Sequence, residues 1–297
     1  MKKVSLTAAL FATLLISGCS SNDNSIQTMS EHSIQKVESI TLDYSNINDE
    51  TTQNEIANLL LENKVEENDV ELFIQSVQNY YKSVEGVELL NYSEKLSDLQ
   101  VPYNQYELTN KWIENNVDFA DQNCRSTAFR LFNDFIISES GLSYKQMDTT
   151  NLEMEIAAFQ YNPDAKFSED DINKFVNFFA NISVTDMNNV EQAAKDISLE
   201  LEKRKISFKA DDNISIINGY IPDTENNAVF VGHTGIAINS NEDVIFIEKY
   251  GFGLPYQMTV FKDKEELKAY MRDRLKIGFT GETLSEEPII MENNKLM

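Results

Sequence analysis

The chain has 297 residues, enough for one sizeable core, and its 25 Lys and Arg against 49 Asp and Glu give a formal charge of −24. A phosphate backbone needs a basic face, so this balance argues against nucleic acid as a partner, and the same field repels anionic polymers. A hydrophobic content of 41%, with 10% aromatic residues, is that of a globular protein.

The first residues carry a targeting pattern. Lys2 and Lys3 make a basic start, Val4 to Ile16 an apolar run, and Ser17-Gly18-Cys19 a small-residue cleavage site. The run is shorter than the ~20 apolar residues a spanning helix needs. Residues 1–18 therefore read as a lipoprotein signal peptide and Cys19 as the acylated residue. A thioether-linked diacylglycerol together with an N-acyl chain would anchor it firmly at the extracytoplasmic face of the cell membrane. The alternative is an ordinary secretory signal cut at a neighbouring small residue. Acylation of Cys19 leaves Cys124 as the only free thiol, with no intrachain disulfide. Residues 19–39 are polar and poor in large apolar residues, as a flexible tether requires. His32 falls in that tether, so His233 is the only imidazole expected in the folded part.

From Ile40 the pattern becomes periodic. Ile56, Leu59, Leu60 and Leu61, then Val70, Phe73, Ile74 and Val77, predict amphipathic helices over about 50–64 and 68–84. Val101-Pro102 punctuates, and Tyr106 to Asn116 reads as a helix bearing the only tryptophan, Trp112. Cys124, Ala128, Leu131, Phe132 and Phe135 form one apolar stripe. Asp121 or Asn123 can cap it, which puts Cys124 in the first turn. Ser168-Glu169-Asp170-Asp171 is a capping box before Ile172, Phe175, Val176 and Phe179. Thr185-Asp186 is expected to open a long helix through about Arg204. After Lys205 the period changes to that of strands: Ile206 to Phe208, Ile214 to Ile217, Val229 to Ile238, Val244 to Lys249 and Gln257 to Phe261, followed by a helix over Lys264 to Leu275. No internal repeat is visible. The reading is a single α+β domain over 40–297, with a mostly helical lobe at about 40–204 and an antiparallel sheet at about 205–297.

A nucleophilic cysteine acts as thiolate, and its pKa falls at a helix N-terminus or beside an imidazolium. Cys124 has the first by position and His233 could supply the second, with a third group orienting the base. Glu248 interrupts the apolar run Val244 to Ile247, where a carboxylate needs a partner. His233, Lys249 and Arg125 are the options. A four-residue hairpin loop over 239–242 sets His233 opposite Glu248, whereas a five-residue loop pairs His233 with Lys249 and turns Glu248 to the other face. The competing structural reading makes Cys124 a small buried hydrophobe and His233 a satisfied structural side chain, with Arg125 and Glu248 in ordinary ion pairs.

The segments Gly232-His233-Thr234-Gly235-Ile236 and Val244 to Glu248, with Asn123-Cys124-Arg125-Ser126-Thr127-Ala128-Phe129, resemble the G-H-x-G-I strand pair and the D-C-S-G-F helix start of NlpC/P60 papain-like thiol hydrolases. The resemblance implies a papain-like core with Cys124 as nucleophile, His233 as base and Glu248 as orienter. Asn123 in place of Asp, Arg125 in place of a small residue, and a much longer Cys-to-His segment depart from that pattern. The strings Tyr44-Ser45-Asn46, Asn123-Cys124-Arg125, Phe230 to Gly235, Phe246 to Lys249, Pro255-Tyr256-Gln257 and Ile290 to Asn293 resemble the bacterial lipoprotein family known as domain of unknown function 4300. That resemblance implies a surface lipoprotein of low-GC Gram-positive bacteria, which the Asn-, Lys- and Ile-rich composition fits, and brings no established activity.

The expected function is a lipid-anchored thiol amidase or peptidase with cell-wall peptide as the natural substrate. The Cys124 N–H and Gln122 side chain would hold the oxyanion, Asn123 would cap the nucleophile helix and belong with them to the binding or oxyanion set, and Arg125 would bind a substrate carboxylate. A non-catalytic binding lipoprotein and a redox-responsive thiol are the alternatives. No C-x-x-C, H-E-x-x-H, P-loop or G-x-G-x-x-G string is present, the histidine and cysteine supply is too small for a zinc site, and no cofactor is expected.

Overall fold

The computed structural model describes residues 41–89, 94–97, 103–141, 143–209, 213–240, 243–276 and 286–297. The expected signal peptide, Cys19 and the tether lie outside the described residues. In chain order the elements are β1 (Thr41–Ser45), α1 (Glu50–Glu62), α2 (Glu67–Ser83), β2 (Glu94–Ser97), α3 (Gln105–Asn115), α4 (Cys124–Phe132), β3 (Ile136–Ser138), α5 (Glu153–Tyr161), α6 (Glu169–Phe179), β4 (Ile182–Ser183), α7 (Val190–Lys203), β5 (Ile206–Phe208), β6 (Ile214–Asp223), β7 (Ala228–Ser240), β8 (Asp243–Lys249), β9 (Tyr256–Phe261), α8 (Lys264–Lys276), β10 (Ile289–Glu292) and β11 (Lys295–Leu296). The protein is α+β, with an antiparallel main sheet in the order β11-β10-β6-β7-β8-β9-β1-β2, and β4 pairing with β7. No helix among the described residues is long and apolar enough to cross a membrane.

The central strands are buried on both faces, and their side chains alternate between two cores. Ile236, Ile238, Ile247 and Met258 join the large core formed with the helices, whereas Ala237, Phe246 and Phe261 join a smaller core with Leu267, Met271 and Leu275 of α8. Such strands read in sequence as unbroken apolar runs, the pattern seen at Val244 to Ile247.

The helix α4 is held between the sheet and the other helices, and all of its residues except Arg125 are buried. Its burial therefore extends well beyond the single stripe expected from spacing. Ser126 is taken up by the helix cap, and Arg130 stacks on the Phe167 ring at 4.3 Å. Phe129 is fully buried and meets Phe167, Phe175 and Phe179 at centroid distances of 5.5, 5.2 and 6.5 Å.

Three expectations change. The helix foreseen from Thr185 starts at Val190, because Asn189 provides the cap to the Gln192 N–H while Asp186 closes a separate turn with Asn188. The order of helices first and sheet second is broken by β1, which pairs with β9 and sets Tyr44 level with Thr259. The β7–β8 connection is tighter than either loop considered: Ser240 pairs with Asp243.

Truncating Phe129→Ala opens a cavity in this aromatic cluster and is expected to cost about 3 to 5 kcal/mol. Urea unfolding followed by circular dichroism should show a lower midpoint with an unchanged slope.

Candidate active site

The start of α4 is fixed by a reciprocal cap. The Asn123 side-chain oxygen accepts from the N–H groups of Arg125 at 3.0 Å and Ser126 at 3.2 Å, and the Ser126 hydroxyl accepts from the Asn123 N–H at 2.9 Å. Cys124 is thus the first helical residue, where the helix dipole favours a negative charge. Its exposure is 7%.

His233 reaches the thiol because of a bulge. Gly219 pairs with His233 and Tyr220 with Val231, so Gly232 is the extra residue of β7, and a bulge of this kind re-aims the neighbouring side chain. A Cβ on Gly232 would lie 2.8 Å from Ile221 Cδ1. A Cβ on Gly235 would meet the Ile247 carbonyl oxygen at 2.8 Å, so this glycine lets β8 approach closely.

The β7–β8 register is shifted by two residues from the four-residue-loop expectation. Ile236 pairs with Ile247, and continuing that register sets Glu248 level with Gly235 and diagonal to His233. A shift of two preserves the face, so the side chains still meet, whereas the five-residue loop would have separated them. His233 Nε2 is bonded to Glu248 Oε2, and the His233 ring and the Cys124 thiol share the wall of one cavity, close enough for each to shift the other's pKa. With Nε2 engaged by the carboxylate, Nδ1 is the nitrogen left for sulfur.

Glu248 is completely enclosed. Gln257, directly opposite on β9, donates from Nε2 to Glu248 Oε1 at 2.7 Å, and the Tyr270 hydroxyl donates to the same oxygen. Arg274 Nη1 stands 3.4 Å from Glu248 Oε2. Tyr44 of β1 supports Gln257 from behind, donating to its Oε1 at 2.7 Å.

These neighbours set the ionisation. Burial raises the Glu248 pKa, but Arg274, then His233 and the hydrogen bonds from His233 and Tyr270, bring it down to about 2. Burial also raises the Cys124 thiol, yet His233, Arg125 and Arg274 outweigh it and the net shift is downward. Burial and Arg274 lower the His233 pKa, while Cys124 and Glu248 raise it, with a net rise. Both shifts favour a thiolate–imidazolium pair.

A cavity of about 330 Å³ opens onto Cys124 and His233, with Tyr250, Phe252 and Arg274 among its walls. The three flanking residues singled out from sequence have different fates. Gln122 is buried away from this cavity, donating to Ser76 Oγ at 2.9 Å and to the Asp164 carbonyl at 3.2 Å, so its amide is not an oxyanion donor. Asn123 lines the cavity, but its amide donates to Glu155 Oε1 at 2.7 Å. Arg125 ties α4 to its surroundings through Glu155 at 2.5 Å, the Val231 carbonyl at 3.1 Å and the Asn151 carbonyl at 2.9 Å. Its fork is engaged with protein, so a substrate carboxylate would have to displace those contacts.

Sequence reasoning missed Gln257, Tyr270, Arg274 and Tyr44. Gln257 had a signal, since it interrupts a buried strand as Glu248 does. Arg274 had none, because a basic residue in a last helical turn reads as a complement to the helix dipole.

A second buried charge pair braces the site. Lys249 Nζ lies 3.0 Å from Asp121 Oδ2 and donates to the Leu254 carbonyl at 2.9 Å, with the rings of Tyr80 and Tyr256 each 4.2 Å away. Asp121 also accepts from the Gly253 N–H at 3.0 Å.

Together these elements define an α+β protein with an enclosed Cys–His–Glu chain at the meeting of a helix start and two antiparallel strands. The chain belongs to the family described as a domain of unknown function (DUF4300), whose model matches residues 43–297. Comparison with curated proteins and with solved structures gives no match.

Two outcomes follow from the buried charges. Lys249→Met leaves the Asp121 carboxylate unpaired and should cost about 3 to 5 kcal/mol in urea unfolding, with Asp121→Asn in the same chain recovering much of the loss. Glu248 has its pKa depressed from 4.5 to about 2. Its contribution to stability is therefore present above pH 4.5 and is lost as the pH falls towards 2. Thermal unfolding against pH should be flatter across that window in Glu248→Gln than in the parent chain.

Proposed function

We propose that this protein is a lipid-anchored, extracytoplasmic thiol amidase or peptidase with a papain-like core, acting on peptide of the cell wall. The observation that carries the reading is the buried set Cys124, His233 and Glu248, with His233 bonded to Glu248 and sharing the wall of an open cavity with Cys124. In this mechanism His233 takes the proton from Cys124 Sγ, and the thiolate attacks the amide carbonyl carbon, forming a C–S bond as the carbonyl electrons move to oxygen. The N–H of Cys124 at the helix start faces the developing oxyanion. Collapse breaks the C–N bond, and His233 returns its proton to the leaving amine. Water, deprotonated by His233, then cleaves the thioester and restores the thiol. Glu248 holds the ring and balances its charge throughout. The lipid anchor and its location rest on Lys2, Lys3, the apolar run and Ser17-Gly18-Cys19.

The low exposure of Cys124 favours a second reading, a binding lipoprotein that keeps the scaffold without the chemistry. Iodoacetamide alkylation of Cys124 against pH separates them. The hydrolase reading requires a rate midpoint well below the ~8.5 of a free thiol, moved upward by His233→Ala. Glu248→Gln removes a charge that raises the His233 pKa, so the imidazolium is lost at lower pH and the alkaline limit of the paired state moves down. A thiol that fails to react across the pH range sinks the hydrolase reading, and reactivity indifferent to His233→Ala points to a redox thiol.

A further inference from the structure

The cavity beside Cys124 has a chemical character of its own, and the inference drawn from it rests on the thiol-hydrolase reading. Ile221 and Phe230 are paired across β6 and β7 just before the Gly232 bulge, and Leu275 of α8 adjoins them. Met154 of α5 also lines the cavity, with 48% of its surface exposed. A volume of about 330 Å³ is at the small end of ligand sites, room for one or two residues.

The charges lining it are one-sided. Among the described residues, Arg125 and Arg274 line it and no Asp or Glu does, in a chain where carboxylates outnumber Lys and Arg by 49 to 25. The carboxylates that balance these arginines, Glu155 and Glu248, are buried, with side-chain exposures of 1% and 0%. A lysine or arginine side chain entering the cavity would meet two guanidinium groups and no carboxylate of the described residues in its lining, and the Cys124 thiolate is already paired with the imidazolium, so its charge would be buried unpaired at a strongly unfavourable cost.

We infer that the wall of Ile221, Phe230, Leu275 and Met154 is a specificity site for a large apolar amino-acid side chain next to the scissile amide, and that basic side chains are rejected. The substrate class is thereby narrowed to peptides with an apolar, uncharged residue at the bond cleaved.

Chloromethyl ketones of N-acetyl-leucine, N-acetyl-glycine and N-acetyl-lysine test this on the full chain. The second-order rate of Cys124 alkylation is measured for each and divided by the iodoacetamide rate of the same protein. The leucine reagent should exceed the glycine reagent by at least about tenfold, the scale of discrimination by an apolar pocket, and the lysine reagent should fall well below the leucine one. Phe230→Ser should bring the leucine-to-glycine ratio close to one. Met154→Ser, at an exposed position, should lower it severalfold with folding intact. A ratio near one in the parent chain, a ratio unmoved by both variants, or a lysine reagent as fast as leucine overturns the inference while normal iodoacetamide labelling leaves the thiol reading standing. Absence of labelling by iodoacetamide overturns both.

Discussion

The buried contact between Lys249 and Asp121 fixes where the two halves of the site stand. Asp121 is three residues ahead of Cys124 and Lys249 directly follows Glu248, so their 3.0 Å pair links the segment that delivers the sulfur to the strand that delivers the carboxylate. Burial pushes the Asp121 carboxyl up and the Lys249 amine down, and each partner works against the other's shift. Two desolvated charges cost several kcal/mol each, so the pair depends on its further contacts: the Leu254 carbonyl, the Gly253 N–H and the faces of two tyrosines. Gly253 is in the left-handed region at φ 64°, and a Cβ there would stand 3.0 Å from Thr109 Cα. Glycine is required for the β8–β9 turn to bring its N–H to Asp121.

Behind the Cys–His–Glu chain runs a second line of support that begins far away in sequence. Tyr44 holds Gln257, Gln257 and Tyr270 hold Glu248 Oε1, and Glu248 holds His233 through Oε2. Asn46 in turn donates to the Tyr44 hydroxyl at 2.9 Å. The N-terminal strand β1 is thus part of the site's support. Each member of this line is buried, and in a low-dielectric interior a satisfied polar network rigidifies what it surrounds.

What could be read from the sequence was local. The Asn123 cap, the strand pair carrying His233 and Glu248, and the Ser168 capping box all depend on residues a few positions apart, where one spacing has one structural meaning. The hairpin register was off by two because turn composition does not fix loop length when both strand faces are apolar; the alternation that normally pins register is missing there. The protein partners of Gln122 and Arg125 were hidden for a related reason. Proximity to Cys124 in sequence does not tell which way a side chain leaves a helix cap, and Ser76, Asp164 and Glu155, which claim them, lie 30 or more residues away. Arg274 and β1 were invisible for want of any local signal.

Arg274 is the residue whose placement makes least sense in isolation and most in company. A guanidinium beside an imidazole opposes its protonation, and Arg274 does lower the His233 pKa. The same charge lowers Glu248 and Cys124, so it favours the two anions that flank the ring. It stacks on the Tyr250 ring at 3.5 Å and donates to the Tyr250 carbonyl and the Tyr270 hydroxyl, contacts that stop it from collapsing fully onto Glu248. Held there, 3.4 Å from the same Oε2 that His233 Nε2 uses, it keeps the carboxylate ionised without displacing the ring. An ionised Glu248 fixes the proton on Nε2, and that leaves Nδ1 free to exchange a proton with sulfur.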